Sequence, residues 1–362
     1  KSEAELVSKY REMALQPEVE AAIDDIVNEA IVSDEEEVVN IVLDTVDEYS
    51  DQIKDKIREE FSNVLTLMNF SGNAHDIFRK WYIDGRIYYH VIIDEKNVRQ
   101  GIKELRYIDP RKIRKIKEIT KNKKGAFPVT KVKAEYYVFN EKGFMTKNSQ
   151  YGVATGTYGE KGLKIAKDSI VHAVSGLMDT NNSLVLSYLH KAIKPLNQLR
   201  TLEDASVIYR ISRAPERRIF YIDVGNLPKQ KAEQYLRDMM VKHKNRLVYD
   251  GATGEIRDDR KFMTMLEDFW LPRREGGRGT EITTLPGGQN LGEMEDVFYF
   301  QKNLFKALHV PISRLEAETG FSLGRASEIS RDELKFTKFI NRLRNKFAIG
   351  LFNAVMEKQL IM

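Results

Sequence analysis

Four adjacent acids, Asp34-Glu35-Glu36-Glu37, form the densest carboxylate run in the chain. Carboxylates are hard oxygen ligands, so such a run could hold a divalent cation. Four consecutive side chains point in different directions, however, and a solvated turn is the better reading. A second candidate is "RREGGRG" at 273–279, whose glycines and arginines could cradle a phosphate. The same composition suits a mobile hairpin tip, which we favour. "GTYGEKG" at 156–162 lacks the spacing of a phosphate loop and the Lys-Ser/Thr that follows one. His75, His90, His172, His190, His243 and His309 are scattered singly, with no H-E-x-x-H and no calcium-loop spacing. Each reads as a structural or surface residue. No catalytic residue, metal site or cofactor is expected.

The elements that could position anything here follow from composition and periodicity. The chain has 362 residues, 42% hydrophobic and 31% charged, which suits a folded protein of two or three domains. No apolar run approaches the roughly 18 residues of a membrane span. The absence of cysteine excludes disulfides and thiolate metal sites and suits a reducing cytoplasm or a particle assembled inside a cell. The chain starts at Lys1 without a methionine and ends inside an amphipathic pattern, so more chain is expected on both sides. Net charge is only +4, but residues 18–60 carry sixteen acids against three bases, and residues 103–133 twelve bases against three acids. Solvated faces are the ordinary reading of such runs.

Residues 17–68 read as helices, with Val19, Ile23, Ile26 and Ala30 at helical steps, then Ile53, Ile57, Phe61, Val64 and Met68. "DEEEVVNIVLD" between them suggests a short strand after a charged turn. From residue 87 the pattern alternates as strands through "IYYHVIID", "IKELRYID", "RKIRKIKEIT", "AEYYVFN" and "LKIAKDSIVHAVSG". Asn182 or Ser183 can cap a helix running to about Ser212, with Pro195 kinking it or starting a new segment. Residues 214–290 read as a small α/β insert: strand "RRIFYIDV", a helix after Pro228, strand "RLVYD" and a hairpin over 269–288. A return helix over 292–310 carries Met294, Val297, Leu304 and Leu308 on one side and Tyr299 and Phe300 on another. A helix apolar on two sides needs two partners. We assign one to the first long helix and the other to a neighbouring subunit, with Tyr299 and Phe300 at that interface. A glycine-containing loop then leads to a last helix, expected to open with the capping box Ser330/Glu333 and to bury Phe339, Ile340, Leu343, Phe347, Leu351 and Val355.

"IKELRYIDPRKIRKI", "YLHKAIKPLNQLRTLEDASVIYRISRAPERRIFYIDVGNLPKQKAEQYL", "TTLPGGQNLGEMEDVFYFQKNLFKALHVPISRL" and "ISRDELKFTKFINRL" closely resemble the portal (head-to-tail connector) proteins of T-even-like tailed bacteriophages. The likeness is collinear over nearly the whole chain. It departs in extent, since that family adds an N-terminal arm and a C-terminal crown, and it diverges over 315–329.

The resemblance implies an α+β portal fold: an α/β wing at 1–182, a first stem helix at 183–213 and a clip at 214–291. A second stem helix follows at 292–314, a tunnel loop at 315–330, and a long helix at 331–362 returning to the wing. It implies a non-enzymatic ring, a dodecamer, through which double-stranded DNA is packaged and later ejected. The implied partners are the large terminase subunit, the major capsid protein and scaffold, and neck or head-completion proteins. The implied place is the portal vertex of the virion, after assembly in the host cytoplasm, with the inner membrane a further candidate. Arg217, Arg218, Arg273 and Arg274 fall in the clip and are the candidates for motor docking, although Arg217 and Arg218 could equally cap a helix C-terminus. Glu316, Glu318, Gly320, Gly324, Arg325 and Glu328 fall in the tunnel loop, where the acids would offset a ring of arginines near moving DNA. The reading kept against this one is a metal-dependent DNA-processing enzyme, which would need converging carboxylates.

Overall fold

The computed structural model describes residues 2–32, 38–43, 49–122, 129–144, 162–213, 217–243, 248–249, 256–257, 269–273, 281–285, 294–314 and 323–361. For 119–122, 129–131, 211–213, 217–218, 240, 242–243, 248–249, 256–257, 285 and 323–328 it describes the backbone alone. The fold is α+β and divides into two units, residues 1–193 with 305–362, and residues 194–304.

The first unit opens with α1 (Glu3–Ala14), closed at its start by a capping box in which Glu5 N–H donates to Ser2 Oγ and Ser2 N–H to Glu5 Oε2. Pro17, which has no amide to lose, begins α2 (Pro17–Ala30), and Val19, Ile23, Ile26 and Ala30 are buried as expected. Residues 38–43 are irregular rather than a strand, and the acidic run 34–37 lies outside the described residues. An isolated strand there would have left its amides without a ladder partner. α3 (Asp51–Leu67) buries Phe61 and Val64 but exposes Ile53, so only its second half packs.

A helix not anticipated from sequence follows, α4 (Phe70–Asp84), which buries Phe70, Ala74, Ile77, Phe78, Trp81 and Tyr82. Gly85 ends it in the left-handed conformation, φ 71°, where a Cβ would lie 2.6 Å from the Leu186 carbonyl oxygen. Both the backbone angle and the close approach require glycine.

Two antiparallel sheets follow. β1 (Arg86–Ile93) lies between β2 (Ile102–Ile108) and β6 (Ile170–Val174), and β4 (Val129–Phe139) between β3 (Ile113–Asn122) and β5 (Leu163–Ala166). The expected strand over 163–176 is split into β5 and β6 by a 3-10 turn at Lys167–Ser169. Tyr88, Ile108, Ile113, Tyr137 and Ile170 form one cluster joining the sheets. Beneath them, Arg11 grips buried Asp84 through two hydrogen bonds of 2.9 and 2.7 Å and also reaches Asp109 at 3.1 Å. Burial pushes Asp109 upward, but hydrogen bonds from Arg111 and Arg11 outweigh it and hold the carboxyl well below its usual range.

The first unit also contains α8 (Leu323–Ala348), a π turn at Ile349–Asn353 and α9 (Ala354–Ile361), read from sequence as one helix. Its expected inner face is buried throughout. Phe347 meets Phe78 at 5.1 Å and Trp81 at 5.2 Å between ring centroids, and Phe352 meets Phe70 at 5.0 Å. Such edge-on contacts contribute about 0.5–1.5 kcal/mol each beyond area burial. Helix α8 begins at Leu323, so Ser330 and Glu333 lie inside it and form no capping box. The S-x-x-E spacing is equally an i,i+3 pair within a helix.

The long helix expected over 183–212 starts ten residues later. Residues 177–178 (β7, Leu177–Met178) pair with β8 (Val185–Leu186), and a 3-10 turn spans Tyr188–Ala192. Ser187 Oγ accepts from Leu189 N–H at 3.0 Å and so starts helical structure there, while Asn182 adopts φ 52° and belongs to a turn. Only then does α5 (Ile193–Arg213) begin, with Pro195 in its first turn, where a missing amide does no harm.

The second unit continues with β9 (Arg217–Asp223), α6 (Lys229–His243), the short pair β10 (Val248–Tyr249) and β11 (Ile256–Arg257), then β12 (Phe269–Arg273), β13 (Glu281–Leu285) and α7 (Glu295–Leu308) as far as Leu304, its last residues counting with the first unit. The sheet order is β12-β9-β13, with β12 parallel and β13 antiparallel to β9. The expected hairpin over 269–288 is therefore absent, because β9 lies between its two arms. The apolar run Ile219–Ile222 takes the centre, and Pro272 keeps β12 at an edge because it cannot donate to a second ladder. Ile222, Val224 and Ala232 form the core under α6, with Phe220 stacked on Trp270 at 4.3 Å.

Candidate interface and docking surfaces

Helix α7 places its side chains by the 100° step of a helix. Leu304, Phe305 and Leu308 are buried, Val297 and Phe300 half-buried, and Phe298 and Tyr299 exposed at 54% and 62%. Phe300 thus belongs with Leu304, one turn on, rather than with Tyr299, although the two rings touch edge-on at 5.4 Å. The outward pair is Phe298–Tyr299. Sequence reasoning missed Phe298, although it sits one position from Tyr299 and no inward stripe contains it. Arg210, near the end of α5, donates to the sulfur of Met294 at 2.8 Å, which sets the end of α5 beside the start of α7.

Of the four candidate docking arginines, Arg217 and Arg218 open β9, in register with Leu285 and Thr284. Their backbone is strand, so they follow α5 rather than forming its last turn, and their side chains are not described. Arg273 ends β12 and is 39% exposed in its side chain. Its guanidinium lies 5.7 Å from the ring centre of Tyr221 and donates to Glu281 Oε2 at 2.8 Å. Arg274 lies outside the described residues. Tyr221, Leu271, Pro272, Arg273, Glu281 and Thr283 line a shallow open concavity on the sheet.

Of the tunnel-loop candidates, Glu316, Glu318 and Gly320 lie outside the described residues. Gly324, Arg325 and Glu328 have helical backbone within α8, which corrects the expected loop at its second end. The near end is held by Arg314, which sequence reasoning did not single out. It donates to Glu333 Oε2 and Glu29 Oε1, both at 2.9 Å, and lies 4.4 Å over the ring of Phe336. These hydrogen bonds raise its pKa further. Nothing in the spacing of Glu29, Arg314 and Glu333 announced this cluster, because it depends on two helices meeting.

The histidines fall singly. His190 Nδ1 lies 2.7 Å from Tyr10 Oη, His172 stacks on Tyr88 at 4.2 Å, and His309 adopts φ 63° against Phe339. Burial lowers the His172 pKa to about 3, helped by the positive charges of Arg86 and Lys115. Among the described residues no three carboxylate or imidazole groups converge as a metal ion would need.

Residues 3–362 match the family model described as bacteriophage T4-like portal protein (Gp20). A portal protein of Vibrio phage KVP40 is 48% identical over 349 residues, covering 95% of this chain and 67% of that protein. A portal protein of Salmonella phage ViI is 42% identical over 366 residues, covering 99% of this chain and 65% of that protein. The chain spans about two thirds of the length of these curated relatives. A chain from the solved "Neck of native GTA particle computed with C12 symmetry" is similar at 13% identity and a TM-score of 0.46, covering 96% of this chain and 79% of that one. With a family match along essentially its whole length and relatives this similar, the chain belongs to the bacteriophage T4-like portal protein family.

Proposed function

We propose that the full-length protein forms a ring, a dodecamer, at one vertex of a phage capsid, through which double-stranded DNA enters and later leaves. The observation that carries this is the family match across residues 3–362, together with two relatives that both bear the name portal protein. The role is that of a conduit and docking platform rather than a catalyst. The alternative, a metal-dependent DNA-processing enzyme, has no support among the relatives.

In this reading residues 1–182 are the wing, 183–213 the first stem segment, 214–291 the clip, 292–314 the second stem segment, 315–330 the tunnel segment, helical from Leu323, and 331–362 the part returning to the wing. Arg217, Arg218, Arg273 and Arg274 would meet the large terminase subunit during packaging, and neck or head-completion proteins afterwards. The major capsid protein and scaffold would surround the ring, and Phe298 and Tyr299 would face the next subunit. The inner membrane as a place of assembly has no support here; among the described residues no helix is long and apolar enough to cross a membrane.

The test is a packaging assay. Capsid precursors assembled with the full-length protein should take up DNA when motor and ATP are supplied, and precursors assembled without it should not. Equal uptake by both would remove the proposed role.

A further inference from the structure

Strands β3 and β4 form a ribbon longer than the sheet that supports it. β5 pairs with Tyr136–Phe139 alone, so residues 129–135 of β4 have β3 as their only described strand neighbour. Hydrophobic contacts gather at the base, where Val138 packs with Ala4 and Phe144. Farther out Val132 is 59% exposed. A two-stranded ribbon by itself is marginal in water, so this outer half calls for a partner.

The charge of the ribbon says what kind. Over the described strand residues from 117 to 135 the ribbon carries Lys117, Lys121, Lys131 and Lys133 against Glu118 and Glu135. Glu135 is already engaged by Lys115 at 2.6 Å, Lys167 at 2.9 Å and Lys117 at 3.5 Å, so one carboxylate answers three ammonium groups. Hydrogen bonds from Lys115 and Lys167 hold it ionised, with a pKa of about 2. The ribbon therefore keeps a positive excess that would suit an acidic surface.

Such a surface exists on this chain. Asp51, Asp55 and Glu59 recur every four residues along α3 and are all exposed, opposite its buried Phe61 and Val64. Arg58 reaches Asp55 at 2.8 Å, and among the described residues no ion pair joins the ribbon to this stripe within one chain. A basic surface and an acidic surface at different places on one subunit make a head-to-tail contact, the kind that closes into a ring when the rotation allows.

We propose that the outer β3–β4 ribbon of one subunit docks on the α3 acidic stripe of the next, as a second contact in the ring. This rests on the ring reading above. It adds which surfaces meet in the first unit and that their meeting is electrostatic.

Charge reversal and its rescue test the proposal, using the full-length protein. One variant carries Lys117→Glu with Lys133→Glu, a second Asp51→Lys, Asp55→Lys and Glu59→Lys, and a third all five. The ring fraction is read by native mass spectrometry over a concentration series at low and at high salt. Each partial reversal should raise the concentration for half-assembly by roughly tenfold, as a few surface ion pairs imply. The combined variant should recover most of that loss, and high salt should narrow every difference. The milder pair Lys117→Gln and Lys133→Gln should shift assembly the same way by less, with an unchanged melting temperature as the check on folding.

Partial variants that assemble like wild type would overturn the proposal and leave the ring reading standing. So would losses that the combined variant fails to repair. Normal rings from the lysine variant that retain less DNA in a gel shift would assign the ribbon to nucleic acid and likewise overturn it. A wild-type protein that never forms rings would remove the reading on which the proposal rests.

Discussion

Arg273 and Glu281 are joined at 2.8 Å across a strand that belongs to neither of them. Arg273 ends β12, Glu281 begins β13, and the guanidinium passes over Tyr221 of β9 to make the bridge. The ion pair thus ties both edges of the small sheet together over its central strand. It also means that Arg273 is partly neutralised and held in place.

Both partners are more than a third exposed, so the pair contributes little stability, within about 1 kcal/mol. Arg273→Ala should lower the melting temperature of the full-length protein by no more than a few degrees. If the arginine serves docking, the same variant should weaken binding of the purified ring to the large terminase subunit about tenfold or more in a titration. Unchanged affinity would clear Arg273 of that role and leave it a strap across the sheet.

Phe298 and Tyr299 face outward from α7, and two adjacent exposed aromatics suit the centre of an interface better than a solvated helix face. Replacing both with Asp should leave folded, soluble subunits with normal helical circular dichroism that fail to form rings on size-exclusion chromatography. Phe300→Ala, by contrast, should act mainly on stability, because that ring is half-buried.

Much of this was legible in the sequence, and the misreadings have physical causes. The buried stripe from Phe339 to Val355 was plain because it repeats at helical steps over several turns. Helix α4 is hard to see in the sequence because Ser71, Gly72 and Asn73 are weak helix formers at its start, although its buried residues recur at the right spacing. The sequence suggests too early a start for α5 because Asn182 and Ser183 look like caps, while the hydroxyl that captures an amide is that of Ser187. The order β12-β9-β13 was hidden because adjacency in sequence favours a hairpin, and only burial shows which strand takes the centre. Arg314 with Glu29 and Glu333 is a tertiary cluster with no local signature.

His172 gives the fold a dependence on pH. Its folded pKa of about 3 lies below its unfolded value of about 6.5, so the unfolded chain binds the extra proton first. The stability it contributes is complete above about pH 6.5 and is lost as pH falls toward 3, by at most about 1.4 kcal/mol per pH unit. Melting temperatures should therefore decline from pH 6.5 to pH 4, and His172→Gln should flatten that decline even though it starts lower. Parallel declines in the two proteins would assign the acid sensitivity to other groups.

Glu316 and Glu318 are proposed to offset positive charge beside moving DNA. A duplex carries one negative charge about every 1.7 Å, and binding tightens steeply with each phosphate neutralised. Glu316→Lys with Glu318→Lys should slow or stall DNA entry in a single-particle translocation assay while rings still assemble. Unchanged velocity would show that these acids do not sense the DNA.

This family member is proposed to work as a ring with a channel, and electron microscopy of the purified full-length protein decides whether it does. The expected result is end-on views of closed rings with a central opening, about a dozen subunits around, each contributing one copy of the β9 sheet. Particles that remain single subunits at micromolar concentration, or closed assemblies with no opening, would contradict it.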